Sequence, residues 1–433
     1  MVKDLYCMND MTLCTTAIDT ELMHQALLVC DILLEIFKHL NEIDYQEYPN
    51  AMAPMTRAKT LAALAATCKT FYEPAMNELW AGVNGLNPLL GCVTRLRPII
   101  YCIPRRTWRN PPDFGDIEPL SPDEAHQFLR HAARVRYLFC LVALDWAAWE
   151  HLSNLPTLHT VTIQMHNAVP FLLDLNRITL GPFLNLTTLT FDADTAAYIT
   201  TLMQYSEFPS LEQLDLKFKR LPLADAERLF HALSQCKACQ TLEYIYIQSS
   251  GPGIQNADSS WTAITQFHCP QLRGLILKFP GCCICLNNGH LLKAMSCWPH
   301  IRLLALEDPR YREAAITFRG LLTALRQCPL LKDLRLLIDM VNLDVDPTAE
   351  SLRNTSLQTW DVQSAEVVDA EAVARVIFSL FPRLDSDYTR FRYASVWDKV
   401  QDHLRRFKSS AVLDCQDEDA DSEIWTRLQN ILC

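Results

Sequence analysis

The chain has 433 residues, 49% of them hydrophobic and 21% charged, with a formal net charge of −11. That length predicts about three ordinary domains unless a repeat array stretches one of them. No run approaches the eighteen or so uninterrupted apolar residues of a membrane span, and the acidic balance argues against a general affinity for nucleic acid, which needs a basic face.

Residues 1–25 are polar and aperiodic, with acids where a signal peptide needs a positive start, so a loose leader on a cytoplasmic or nuclear protein is expected. The 17 cysteines fit that setting: odd in number and scattered through apolar segments, they read as small hydrophobes in a reducing compartment.

Residues 26–83 carry three helical patterns. LLVCDILLEIFKHL starts at Leu27, and Ile32, Leu33, Ile36, Phe37 and Leu40 recur at steps of three and four. Leu61, Leu64 and Cys68 repeat the spacing, as do Tyr72, Met76, Leu79 and Trp80. Helices this short cannot hide so much apolar surface on one another, and an apolar patch left open usually marks a docking surface. The plainer alternative is a small helical cap on a larger core.

The order LL-x-x-ILLEIF-x-x-L, then L-x-x-LA-x-TCKTFYEPA, then LW resembles the F-box, in the form found in mushroom-forming fungi. The resemblance implies a three-helix head that binds a Skp-family adaptor and so joins a cullin-RING ubiquitin ligase. On that basis the expected adaptor contacts are Leu27, Leu28, Ile32, Leu33, Ile36, Phe37, Leu61, Cys68, Leu79 and Trp80. Two features depart from the family: Val29-Cys30 stands where a Pro is usual, and the spacer from Asn41 to Thr60 is long.

Residues 84–120 hold Pro88, Pro98, Pro104, Pro111, Pro112 and Pro119, a density that rules out a long helix and suggests a stiff connector. Within it Arg105, Arg106, Trp108 and Arg109 form a small basic-aromatic cluster that reads as a solvated loop. At Ser121-Pro122-Asp123-Glu124 an N-cap, a first-turn Pro and a capping-box Glu predict a helix start.

From there to residue 385 a unit recurs, often a Pro followed by L-x-x-L-x-L, as in PSLEQLDL from Pro209 and PLLKDLRL from Pro329. Its first anchors are Val135, Leu158, Leu186, Leu211, Leu242, Leu272, Ile301, Leu331, Leu357 and Leu384. Their mean interval of about 28 residues and the core pattern match leucine-rich repeats, and amphipathic stretches such as Asp225–Gln235, Glu313–Gln327 and Glu371–Leu380 lie between them. The expected fold class is therefore α/β: a short helical head followed by a curved strand–helix solenoid. Residues 386–433 read as a helical C-terminal cap, with helices near Tyr388–Phe407 and Glu423–Leu432 and an acidic loop from Asp414 to Glu423 between them.

In L-x-L the leucines point inward and the middle residue points to the opposite face. Stacked repeats would line those residues along the concave surface. Phe139, Asp215, Lys217, Tyr246, Ile276, Lys278 and Arg335 are accordingly the expected substrate contacts, an apolar centre with a charged rim that suits a protein or peptide.

Signs of an enzyme are scarce. With 11 glycines in the chain there is no phosphate loop, and no G-x-S-x-G or H-E-x-x-H occurs. Two C-x-x-C pairs, Cys236 with Cys239 and Cys282 with Cys285, could supply zinc only if they converged. No cofactor, metal, nucleic acid or membrane is expected. Two readings remain: a substrate adaptor of a ubiquitin ligase, with a Skp-family protein, a cullin-RING ligase and a protein substrate as partners, or a repeat scaffold for protein–protein contacts with a degenerate head.

Overall fold

A computed structural model describes residues 29–47, 53–102, 107–108, 120–141, 143–144, 146–165, 181–251, 263–279, 286–307, 314–346, 354, 356–362, 365–384 and 395–417. The chain is α/β and divides into two compact units, residues 1–192 and 193–433. That division falls within the stretch the repeat pattern covers.

The first unit opens with three helices, α1 (Cys30–Glu47), α2 (Ala53–Thr67) and α3 (Lys69–Ala81). Much of the spacer expected as a link from Asn41 to Thr60 is helical. The alanine-rich run MTRAKTLAALAAT favours helix at nearly every position, so α2 begins well before Leu61. Phe37 of α1 meets Phe71 of α3 edge to face at 5.9 Å. Leu33, Leu61, Ala62, Ala65 and Ala75 complete a closed core between the helices.

The chain passes from α3 straight into a strand. Its next residue starts β1 (Gly82–Asn84), which pairs in parallel with a strand more than fifty residues on, Gly82 opposite Tyr137. The proline-rich segment is thus an excursion between two neighbouring strands. It contains α4 (Asn87–Leu90) and α5 (Arg97–Ile100), and Pro88 and Pro98 sit in their first turns, where a missing N–H costs no helical bond. A small antiparallel pair follows, β2 (Tyr101–Cys102) with β3 (Thr107–Trp108). Arg105, Arg106 and Arg109 lie outside the described residues.

The predicted helix start at Ser121 is present as α6 (Pro122–Ala132), with both capping-box bonds made. Arg95 reaches across to Glu124 at 2.7 Å and, with the Ser121 backbone N–H, holds that carboxyl well below the usual range, at about 2. Then come β4 (Tyr137–Cys140), α7 (Trp146–Ser153), β5 (Thr160–Met165) and β6 (Thr188–Ala193), giving the strand order β1-β4-β5-β6.

The second unit alternates helices and parallel strands. In chain order these are α8 (Ala197–Tyr205), β7 (Gln213–Phe218), α9 (Leu223–Gln235), β8 (Tyr244–Ser249), β9 (Gly274–Lys278), α10 (Asn288–Ser296), β10 (Leu303–Glu307), α11 (Phe318–Leu325), β11 (Asp333–Arg335), β12 (Thr359–Asp361), α12 (Ala370–Leu380) and α13 (Ser395–Asp417). Each strand from β7 to β12 pairs in parallel with the next.

All ten anchor residues, from Val135 to Leu384, are buried. The recurrent proline has a specific use. Leu272 N–H donates to the Cys269 carbonyl, Ile301 to Trp298, Leu331 to Cys328 and Leu384 to Phe381, each at 3.0–3.2 Å. Pro270, Pro299, Pro329 and Pro382 stand at the second position of these turns, where a φ near −65° is already required. Proline therefore stiffens the corner that delivers each anchor into the core.

Two boundaries differ from the sequence expectation. α11 starts at Phe318, because Thr317 caps it by accepting from Gly320 N–H, rather than at Glu313. α13 runs on through Asp414 and Asp417, which were expected in a loop. It packs on α12, with Trp397 Nε1 donating to the Ala365 carbonyl at 3.0 Å and Lys408 to the Leu384 carbonyl at 2.5 Å. The expected helix at Glu423–Leu432 lies outside the described residues.

Gly320 marks a close approach between helices. A Cβ there would overlap the Asn288 side chain, which is fixed by accepting from Thr317 N–H at 2.9 Å and donating to Thr317 Oγ1 at 3.2 Å. Gly320→Ala is expected to destabilise the protein by about 1–3 kcal/mol through overpacking. Gly289→Ala, whose Cβ would meet only Asn287 Oδ1 at 3.4 Å, should be neutral or stabilising by up to about 1 kcal/mol. Urea titrations of both variants check this, and equal effects would refute it.

Candidate functional site

The expected adaptor contacts separate sharply by exposure. Leu33 is 1% exposed, Phe37 3%, Leu61 1%, Leu79 7% and Trp80 1%. These five build the interior of the head, and side chains so enclosed cannot meet a partner. Ile32 at 41% and Ile36 at 39% remain open, and Val29 at 46% extends them. Positions 29, 32 and 36 fall three and four residues apart and so form one stripe that starts just before α1 and runs along it, next to the stripe that Leu33 and Phe37 turn inward. Cys68 is half-buried just before α3. Leu27 and Leu28 lie outside the described residues.

Trp80 is closed over from α6. Its ring stacks on His131 with centroids 4.6 Å apart and an interplanar angle of 20°. Around this stack a set of ionic and polar bonds ties α3 to the segment leading into β4. Arg134 donates to Glu73 at 2.5 Å and to Asn77 Oδ1 at 2.9 Å, and Arg136 donates to the buried Glu78 at 3.2 Å. Burial, followed by the nearby Arg134 and Arg130, pushes His131 down to about 4, with Glu73 acting in the opposite direction. Sequence reading missed this clasp because partners nearly sixty residues apart leave no periodic trace.

On the second unit the register places the expected contacts side by side. Asp215, Tyr246, Ile276, Ala305, Arg335 and Asp361 follow one another across β7 to β12, and Lys217, Gln248, Lys278 and Glu307 form the adjacent row. Their neighbours along each strand are buried, so these residues share the opposite face. Phe139 is not among them: it lies in the first unit, on β4 opposite Thr162.

The rows are cross-linked. Glu307 takes both Lys278 at 3.3 Å and Arg335 at 2.9 Å, Lys217 meets Asp215 at 3.5 Å, and Lys278 stands 5.8 Å from the centroid of the Tyr246 ring. Partial burial, and then Asp215 and Glu307, push the Tyr246 hydroxyl upward from its ordinary value. It stays a donor at neutral pH and donates to Gln248 Oε1 at 2.5 Å.

Tyr244 was not singled out from sequence, yet its large exposed ring lies over β9. A Cβ on Gly274 would stand 2.7 Å from Tyr244 Cδ1. The available signal was a tyrosine in one repeat facing a glycine at the same position of the next.

Burial pushes the Cys140 and Cys328 thiols up to about 12 and raises Cys236 and Cys269 as well, which keeps them protonated and unreactive. Among the described residues no group of three His, Cys, Asp or Glu is placed to hold a metal. Cys282 and Cys285 lie outside the described residues. No helix among the described residues is long and apolar enough to cross a membrane. No family model matches the chain, and no curated protein matches it.

Proposed function

We propose that this chain is a substrate adaptor of a cullin-RING ubiquitin ligase. In this reading the three-helix head is an F-box that binds a Skp-family protein, and the strand–helix array is an irregular leucine-rich-repeat solenoid whose open sheet face holds a protein substrate. The observation that carries the reading is the stripe of Val29, Ile32 and Ile36. It stays in water while Leu33 and Phe37 of α1 turn into the head, and such a stripe has the i, i+3, i+7 form of helix docking surfaces. The chain's task would be positioning, so it needs no active site of its own.

Co-expression of the full chain with a Skp-family protein tests the proposal. A stable complex that also recruits a cullin supports it, and separate elution of the two proteins at micromolar concentration overturns it. A second reading, a scaffold outside any ligase, draws on Val29-Cys30 at the position where the resembled family has a proline. The same experiment decides between them.

A further inference from the structure

The edge of the second unit's sheet where the chain enters β9, β10 and β11 has a charge pattern that the chain as a whole lacks. On β9 to β11 and the residues that lead into them stand Arg273, Lys278, Arg302, Lys332 and Arg335, against two carboxylates, Glu307 and Asp333. Glu307 is already shared by two cations, and Asp333 accepts from the Thr359 hydroxyl. Arg302 and Lys332 are adjacent, since Lys332 N–H donates to the Arg302 carbonyl at 2.8 Å. Both are exposed and neither has an ion-pair partner among the described residues. Acids flank this centre: Asp215 and Glu243 on one side, the latter already paired with Arg273 at 3.2 Å, and Asp361 on the other. In a chain of net charge −11, such a local positive field is a selective feature rather than a general one.

Beside the cations lies apolar surface. Tyr244, Tyr246, Ile276 and Leu303 occupy neighbouring positions on β8, β9 and β10. Tyrosines over a flat strand surface, bordered by charge, have the composition of an interface hot spot.

We infer that this patch binds an acidic peptide segment of a partner protein, with a bulky apolar side chain seated against Tyr244, Tyr246 and Ile276 and carboxylates over Arg302 and Lys332. The inference deepens the adaptor reading by naming the substrate class and rests on it. A protein segment fits better than nucleic acid because, among the described residues, the cations of this patch without an ion-pair partner number two, whereas phosphate-backbone binding needs a longer basic track and is opposed by the flanking acids.

The test selects short random peptides from a display library on the immobilised full chain and on Arg302→Glu/Lys332→Glu. Fluorescence anisotropy of the selected peptides and of oligothymidylate then follows. The expected result is enrichment of Asp and Glu next to Leu, Phe or Trp, binding that weakens with salt, and affinity about tenfold or more lower in the charge-reversed chain. Selection of neutral or basic peptides, no enrichment, equal affinity in the variant, or tighter binding of oligothymidylate would each overturn the inference. Skp-family binding is measured on the same two proteins. Its loss from both with peptide recognition intact removes the adaptor reading alone, and its retention by both with no peptide preference removes the acidic-peptide inference alone.

Discussion

Ile32→Asp combined with Ile36→Asp will abolish capture of a Skp-family protein while leaving the melting temperature of the chain unchanged. Both side chains are about two-fifths exposed, so in the free protein each aspartate stays in water and costs the fold little. In a complex the same positions would be covered, and two carboxylates would lose hydration without compensation. Together with the lost apolar burial this amounts to about 3–5 kcal/mol, or roughly 10²- to 10⁴-fold in affinity.

Leu33→Asp will also lose the partner, by a different route. Leu33 is enclosed among α1, α2 and α3, and an unpaired charge there unfolds the head. Trp80→Ala belongs with it, because the indole fills the space between α3 and His131 and its removal opens a cavity costing about 3–5 kcal/mol. Pull-down combined with thermal unfolding separates the two classes. If the Ile32/Ile36 pair binds normally, α1 does not carry the docking surface.

This contrast shows where periodicity stops being informative. A repeat at three and four residues places Ile32, Leu33, Ile36 and Phe37 on one broad apolar arc, but the arc is wider than a single contact. Which edge turns inward depends on Phe71 standing opposite Phe37, a pairing between distant segments.

The anchors of the array were legible because each obeys a local rule. A turn with Pro at its second position delivers a leucine to the core, and strand alternation then fixes the face of the next residues. Capping at Ser121 was legible for the same reason. The route of the chain from α3 straight into β1 was not, since Gly82-Val83-Asn84 is too short to show alternation and its partner lies beyond the proline-rich excursion. Nor could acidity alone place Asp414 and Asp417, because a run of acids fits the end of a helix as well as it fits a loop.

The clasp around Trp80 leads to the second large effect, a loss of stability in mildly acidic solution. His131 titrates at about 4 in the folded protein, against about 6.5 in an unfolded chain. Its folded form is therefore held neutral, by burial and by the cationic Arg134 and Arg130 beside it, with Glu73 on α3 as the opposing carboxylate. As pH falls below about 6.5 the unfolded chain takes up a proton that the folded one refuses. The resulting loss of stability grows until pH reaches about 4 and then levels off. Between about pH 7 and pH 5 it amounts to at most about 2 kcal/mol, the cost of leaving unbound a proton that the unfolded chain takes up about 1.5 pH units above pH 5.

His131→Gln removes the titrating group and will lower stability at neutral pH through the lost stack, yet flatten the slope between pH 7 and 5. The difference between the two slopes in urea titrations is the measurement, and parallel slopes in the two proteins would show that another group senses the acid. A head fixed to the sheet by a neutral histidine between two arginines should therefore loosen first in acid, and hydrogen exchange at α3 and α6 should rise before exchange at β7 to β10 does.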